Sequence, residues 1–361
     1  MTKRIEKITG MLSQLGVDAM LITNEINVGY LSGFSGDSSY LLIRENQTTI
    51  ISDGRYETQI ANECPDLEML IRYSGDRMVD SVKTAIASSG AARVGFEAGH
   101  MSLSDFRTME KIVDSAQWIE TNGVVEGLRI IKDADEIAIL RESIRINEQT
   151  FRSVVAKLRT DWSEREIAHE FEATMRFLGA DGVSFAPIIA AGPGGALPHY
   201  HPSTRTIDDA ATLLIDWGAF YRGYASDITR TLHRDHASDR FRTCYDAVLE
   251  SQLAAIAAIG PGVTASHVDS VARDVLNRAG LGDAFMHGLG HGIGLQIHEA
   301  PRLSSVSSEL LQAGMVITIE PGVYFEGDFG IRIEDDVLVT ETGHEVLTSL
   351  PKGLDDCRIM L

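Results

Sequence analysis

Two stretches constrain this chain more than anything else in it: TLLIDWGAFYRGYASDITRTL at 212–232 and MVITIEPGVYFEGDFGIRIEDDVLV at 315–339. Each reads as two β-rich runs around a glycine-bearing turn, and each carries carboxylates at the ends of apolar runs. In the first, the turn falls near Tyr221 to Gly223, and Asp216 and Asp227 lie 11 apart around it. Residues so placed in a hairpin come out opposite or diagonal, about 4.5–8 Å from each other. In the second, Glu320 and Glu334 are 14 apart and centred on Gly327, with Gly327 and Gly330 returning one strand beside the other. A single aspartate capping a turn, or a single glutamate guarding a sheet edge, is ordinary. Asp216, however, follows Leu213, Leu214 and Ile215 and precedes Trp217, where an unpaired charge is costly to bury. Four such carboxylates in matched hairpins point to positive charge held between them.

Between the hairpins lies HGLGHGIGLQIHEAP, with His287, His291 and His298. The four-residue step from His287 to His291 would suit a helical zinc site, but Gly288, Gly290, Gly292 and Gly294 argue against a helix. The segment is expected to be a loop or irregular strand against which other backbone packs closely. One imidazole with four carboxylates is an oxygen-rich donor set, suited to Mn2+ or Co2+, with Zn2+ an alternative. Four carboxylates and a hydroxide nearly balance two divalent metal ions, whereas one ion would leave the cluster strongly negative. A metal pair activates water and clamps a tetrahedral intermediate, which is the chemistry of hydrolysis.

A chain of 361 residues exceeds one ordinary core, so two domains are expected. From 1 to 124, helical patterns alternate with short apolar runs at 17–23, 40–43, 48–52 and 93–96, the signature of an α/β domain with a partly parallel or mixed sheet. Residues 125–361 open on a long amphipathic segment, 125–155, with Asp133 and Asp135 as an acidic first turn and cap. Helical stretches near 164–178, 238–259 and 265–279 follow, then strands from 315 onward, which is α+β organisation. The net charge of -20, without a basic patch, excludes nucleic acid as a partner. No run reaches the roughly 18 apolar residues of a membrane span, and the N-terminus lacks a signal-peptide core, so no membrane association and a cytoplasmic location are expected. Cys64, Cys244 and Cys357 are far apart and outside any C-x-x-C arrangement, which speaks against a disulfide framework or a thiolate site.

The segments LIDWGAFYRGYASDITRTL, HGLGHGIGLQIHEAP, TIEPGVYF and GIRIEDD resemble the pita-bread metallopeptidases, and among them the Xaa-Pro aminopeptidases and Xaa-Pro dipeptidases (prolidases). YLSGFSGDSSYLLI followed by SDGRY is similar to their creatinase-like N-terminal domain, so the resemblance covers nearly the whole chain. It implies an α/β creatinase-like domain over 1–124 and an α+β pita-bread domain over 125–361. It implies five metal ligands: Asp227 and Glu334 bridging two ions, Asp216 chelating one, and His291 with Glu320 completing the other. Glu320 would also carry a proton to the leaving proline nitrogen. His298 matches the histidine that stabilises the tetrahedral intermediate, His199 in LPHYHPS the outer histidine near substrate, and His287 a further position near the pocket. Arg332 matches an arginine that holds carboxylates in place.

The resemblance also implies proline-containing peptide substrates and a homodimer, with Asp53, Arg55 and Tyr56 either reaching a neighbouring subunit's site or serving a local turn. An Xaa-Pro aminopeptidase is the expected activity. A prolidase shares all five ligands, and an inactive pita-bread binding scaffold is the alternative of another class. Methionine aminopeptidases lack the added N-terminal domain, and creatinase lacks the ligands. GPGGA at 192–196 has no Walker lysine and is expected to be a turn lining the pocket.

Overall fold

Apolar runs alternating with amphipathic stretches become, in the first part of the chain, a sheet layered with helices. The computed structural model describes residues 3–360, which divide into the units Met1–Leu128 and Arg129–Leu361. In the first unit, β1 (Ala19–Ile22), β2 (Tyr40–Arg44), β3 (Thr48–Asp53), β4 (Glu68–Arg72), β5 (Arg93–Glu97) and β6 (Gln117–Thr121) form one sheet in the order β4-β3-β2-β1-β5-β6. The β1–β2 and β2–β3 pairs are antiparallel, while β3–β4, β1–β5 and β5–β6 are parallel, so the sheet is mixed as expected. Helices α1 (Lys3–Leu15), α2 (Glu25–Ser32), α3 (Glu57–Glu63), α4 (Met78–Ser89) and α5 (Leu103–Ile112) accompany it. The interior strands β1 and β3 are buried along their whole length and announce themselves as apolar runs. The edge strands β4 and β6 are largely exposed or half-exposed, carry only two or three apolar residues each between charged or polar ends, and escape the sequence reading.

A single turn, α6 (Glu126–Arg129), spans the boundary in the chain, and the second unit then opens on the long helix α7 (Ala134–Val155). The helix therefore begins later than the amphipathic pattern, at the residue whose side chain can start it. The Asp133 carboxylate accepts the N–H groups of Asp135 (3.1 Å) and Glu136 (3.0 Å), and Glu136 reaches back to accept the Asp133 N–H (2.9 Å). Ser163 and Glu166 open α8 (Glu164–Phe177) with the same box. Helices α9 (Asp239–Ala257) and α10 (Ala265–Arg278) complete the helical set.

The strands are gathered apart from these helices, which is α+β architecture. Strands β8 (Ile188–Ala191), β9 (Thr212–Trp217) and β12 (Ile228–His233) run in the order β12-β9-β8, and β7 (Gly182–Val183), β10 (Ala219–Tyr221) and β11 (Tyr224–Ala225) in the order β11-β10-β7. A five-stranded sheet, β14-β13-β15-β18-β19, is built from β13 (Gly290–Gly292), β14 (Glu299–Leu303), β15 (Val316–Ile319), β18 (Asp335–Thr340) and β19 (Gly343–Val346), and β16 (Gly322–Phe325) pairs with β17 (Phe329–Arg332).

Both expected hairpins are present, each interrupted once. Asp216 pairs with Thr229 in β9–β12, and the same register continues through Tyr221↔Tyr224 in β10–β11. The two-residue turn Arg222–Gly223 has φ of 49° and 80°, the doubly positive geometry that suits a twisted hairpin. Asp227 is thus diagonal to Asp216, two positions from its direct partner. The interruption falls at Gly218, where an added Cβ would lie 2.0 Å from Ser184 Oγ and 2.2 Å from the Ser226 carbonyl oxygen. In the second hairpin, Ile319↔Asp335 and Gly322↔Arg332 share one register, which sets Glu320 opposite Glu334. Next to Asp216, the Trp217 ring stacks on Phe151 (centroids 4.8 Å apart) and its indole N–H donates to the Asn147 carbonyl (3.0 Å), which pins β9 to α7.

Replacing Asp133 with alanine removes the carboxylate that caps the Asp135 and Glu136 N–H groups, leaves the backbone N–H bond to Glu136 in place, and is expected to lower stability by about 1 kcal/mol. The check is a shift of the urea midpoint with an unchanged slope.

Candidate metal centre

The hairpin ends converge on β13. Side-chain donor atoms of Asp227, His291 and Glu334 all lie within 4.8 Å of one another. His291 Nε2 stands 3.5 Å from Glu320 Oε1 and 3.8 Å from Asp227 Oδ2. Its other ring nitrogen faces the Gly292 carbonyl at 3.0 Å, so Nδ1 carries the proton and the Nε2 lone pair points at the carboxylates. Burial lowers this imidazole to about 4, which keeps it neutral at physiological pH.

The strand that carries His291 is admitted by its glycines. A Cβ on Gly290 would fall 2.0 Å from the Thr318 carbonyl oxygen, and one on Gly292 would fall 2.1 Å from that of Ala300. Any side chain there would push β13 away from β15 and β14 and carry His291 out of reach. The expected close backbone packing is therefore what places the imidazole.

A hydrogen-bonded frame fixes the carboxylates. The buried Arg332 guanidinium donates from Nη2 to Asp216 Oδ2 (2.5 Å), from Nη1 to Tyr324 Oη (2.9 Å) and from Nε to Thr229 Oγ1 (3.1 Å). Thr229 in turn donates its hydroxyl to Glu334 Oε2 (2.6 Å). Tyr324 donates its hydroxyl to His287 Nε2 (2.9 Å), while His287 Nδ1 donates to the Gly288 carbonyl (2.7 Å). Burial holds His287 at about 4 as well. His287 thus faces this relay, whereas Arg332 touches Asp216 directly.

Electrostatics show what the cluster lacks. Burial, reinforced by the charges of Glu334 and Asp216, raises the Asp227 carboxyl well above the aspartate range. Burial and the charges of Glu320 and Asp216 do the same to Glu334, and burial pushes Glu320 up to about 8. Asp216 Oδ1 and Asp227 Oδ1 are buried with no hydrogen-bond partner among the described residues. Carboxyls that resist ionisation, oxygens with nothing to bind and an imidazole lone pair aimed among them fit divalent cations, which would supply the missing counter-charge.

His298 stands edge-on to His291, ring centroids 4.4 Å apart, and burial lowers its pKa. His199 is exposed on the loop after Gly192–Ala196, near enough to disfavour protonation of both His287 and His298. Gly192–Ala196 forms a 3-10 turn. Asp53, Arg55 and Tyr56 serve one another locally: Arg55 forks onto both oxygens of Asp53 and lies over the Tyr56 ring. The three cysteines are buried and free.

Several site residues escape the sequence reading. Thr229 stands two beyond Asp227 and Thr318 two before Glu320, and the strand period of two was signal enough to put each on its carboxylate's face. Asp336, two beyond Glu334, accepts the Asp227 N–H at 3.2 Å. Tyr324 and Arg302 carry no comparable signal. Arg302 is exposed opposite His291 in β13–β14, and its charge acts on His291 and His298.

Residues 138–341 match the family described as metallopeptidase family M24, and residues 4–131 match the creatinase/prolidase N-terminal domain. Over 355 residues the sequence is 35% identical to the Xaa-Pro dipeptidase of Pyrococcus furiosus, covering 98% of this chain and 100% of the relative. The fold is similar to a solved Xaa-Pro dipeptidase from Bacillus anthracis (TM-score 0.95, 37% identity, 99% of both chains). It is also similar to an X-Pro aminopeptidase from Thermotoga maritima (TM-score 0.90, 37% identity, 97% of this chain and 99% of the other).

Without metal, the folded protein holds protons on Glu320, Asp227 and Glu334 that an unfolded chain releases near pH 4. Stability of the metal-free protein is therefore expected to fall as pH rises from about 5 towards 8, and Mn2+ should oppose the fall. Thermal melts across that range with and without Mn2+ provide the check, and a flat metal-free profile would contradict the burial described above.

Proposed function

We propose that this chain, which belongs to metallopeptidase family M24, is a dinuclear exopeptidase that releases the residue in front of a proline from the N-terminus of a peptide. Membership makes it a divalent-metal-dependent hydrolase of peptides. The observation that supports the finer reading is the buried cluster around His291, in which carboxyl oxygens and an imidazole lone pair face one another and Asp216 Oδ1 and Asp227 Oδ1 have no hydrogen-bond partner among the described residues. In this reading Asp216, Asp227, His291, Glu320 and Glu334 would hold the cations, with Asp227 and Glu334 shared between them. Mn2+ is the first choice, with Co2+ and Zn2+ as alternatives. When bound, such a pair makes water nucleophilic near neutral pH and offsets charge developing on the scissile carbonyl.

The chain's own groups do the rest. Arg332 and Thr229 hold Asp216 and Glu334 at fixed positions before any ligand arrives, so little reorganisation remains for the reaction. Glu320 is the proton carrier, taking a proton from the attacking water and delivering it to the proline nitrogen as the bond breaks. His298, kept neutral by burial, donates an N–H towards the carbonyl oxygen, and His199 contacts substrate from its loop. His287 orients Tyr324. An Xaa-Pro bond offers no amide hydrogen to grip, so recognition must come from the ring and the flanking groups. The names of the relatives support proline at this position. An inactive scaffold is disfavoured because the donor set is complete. We further place the enzyme in the cytoplasm as a homodimer; among the described residues no helix is long and apolar enough to cross a membrane.

One observation favours a prolidase instead. A dipeptide ends in a carboxylate immediately after proline, and Arg302 places an exposed guanidinium opposite His291. The two readings separate by mass spectrometry on Xaa-Pro and Xaa-Pro-Yaa with Mn2+ or with chelator. Metal-dependent release of Xaa from the tripeptide supports the aminopeptidase, and cleavage of the dipeptide alone supports the prolidase. Turnover of neither with Mn2+, Co2+ or Zn2+ would overturn both. In a prolidase, Arg302→Ala should raise KM for the dipeptide roughly tenfold to a hundredfold, the scale of a lost charge-assisted hydrogen bond.

A further inference from the structure

The loop 192–203 carries His199 on the surface, where a histidine side chain has little reason to hold one position. Both feet of that loop rest on a single carboxylate. Glu164, fully buried at the start of α8, accepts the Ala191 N–H on Oε1 (2.9 Å). On Oε2 it accepts the Tyr200 hydroxyl (2.8 Å), the Ser203 N–H (3.0 Å) and the Ser203 hydroxyl (2.6 Å). One donor lies before the loop, and three lie within the four residues after His199. The loop's exit is tied to the same helix end, since the N–H groups of Glu164 and Arg165 donate to the carbonyls of Arg205 (2.9 Å) and Ser203 (3.0 Å).

The middle of the loop is a short 3-10 turn, closed by the Leu197 N–H on the Gly194 carbonyl (3.1 Å) and the Tyr200 N–H on the Leu197 carbonyl (3.2 Å). It rests on β17 through glycine: a Cβ on Gly195 would lie 3.1 Å from the Gly330 nitrogen, and the Tyr200 ring sits 3.2 Å from the corresponding point on Gly194. Tyr200, immediately after His199, is therefore packed against the loop by its ring and drawn to Glu164 by its hydroxyl. Release of that hydroxyl would free the residue that sets the direction of the His199 side chain.

We propose that Glu164 is a positioning residue for substrate binding: by closing the loop 192–203 it holds His199 over the site in advance of substrate. The inference rests on the reading of His199 as a substrate contact. Glu164 makes no hydrogen bond to the metal-binding set, and three of its four side-chain bonds go to the residues just after His199, so its loss is expected to act through His199 and to spare metal affinity. A one-ångström displacement of a substrate-positioning group is enough to lose rate by about a hundredfold, and buried partners of functional groups are worth roughly ten- to a hundredfold.

The test is a double-mutant cycle on the full-length, Mn2+-loaded protein with Xaa-Pro and Xaa-Pro-Yaa substrates. Glu164→Gln puts an amide donor where only donors point, and is expected to lower kcat/KM at least tenfold, chiefly through KM, with Mn2+ affinity by calorimetry unchanged. In the His199→Ala background the same change should have almost no further effect. Tyr200→Phe removes one donor without disturbing the helix, carries the same cycle should Glu164→Gln fold poorly, and should show a smaller, equally non-additive loss. Glu148→Gln serves as the structural control. That carboxylate is also buried and hydrogen-bonded, to Ser349 and the Leu350 N–H, and should lower Tm without the kinetic loss. Additive losses, weakened Mn2+ binding, or an equal kinetic loss in Glu148→Gln would overturn the proposal. An impaired His199→Ala beside an unaffected Glu164→Gln overturns the clamp alone. A His199→Ala enzyme with wild-type constants overturns the reading of His199 and the clamp with it.

Discussion

Repulsion among buried carboxylates is the constraint on which the rest of the second unit depends. Asp227 and Glu334 are buried, Glu320 stands opposite Glu334 in the second hairpin while Asp227 approaches from the first, and charge on any one raises the cost of charge on its neighbours. A core would ordinarily expel such a group or pair it. Here the pairing is deliberately incomplete. Arg332 takes one oxygen of Asp216 and Thr229 takes one of Glu334, while Asp216 Oδ1 and Asp227 Oδ1 are left with no partner among the described residues. The frame is rigid on the side facing the protein and open on the side facing the cations.

That frame explains features which otherwise look unrelated. Trp217 is anchored in the core directly beside Asp216, so the aspartate cannot drift to solvent. Behind Glu334, the buried Arg230 donates to the Glu334 carbonyl (2.6 Å) and pairs with Asp335 (2.8 Å), which immobilises the backbone where it leaves the glutamate. The glycines of β13 let a strand lie close enough to β14 and β15 to bring His291 among the carboxylates. Each device spends conformational freedom far from the reacting bond so that the donor atoms hold still.

Outside the donor set, buried carboxylates do a second job, tying loops to the scaffold. Glu299, next to His298, accepts from Arg129 and from the Gln296 N–H (3.0 Å) and pairs with Lys132 (3.4 Å), which gathers the histidine-bearing loop onto the segment before α7. Glu164 does the corresponding work for the loop of His199. Both His199 and His298 thus sit on segments that a buried acidic residue ties to the scaffold.

The sequence by itself determined the two hairpins and the four carboxylates they bring together. A two-residue turn at Arg222–Gly223 and the centring of Glu320 and Glu334 on Gly327 set the register, and a strand's period of two then sets the face. It determined the interior strands of the first unit too, because burial on both sides writes a continuous apolar run. Only the tertiary structure decided which histidine enters the cluster, since His287, His291 and His298 share one glycine-rich segment and differ in what lies across from them. It alone revealed the edge strands β4 and β6, whose exposure leaves only two or three apolar residues each. It alone joined Arg332 to Asp216, Asp336 to the Asp227 amide and Glu164 to the feet of the His199 loop. Such pairings cross tens to more than a hundred residues of chain, and local pattern carries information only about neighbours a turn or a strand away.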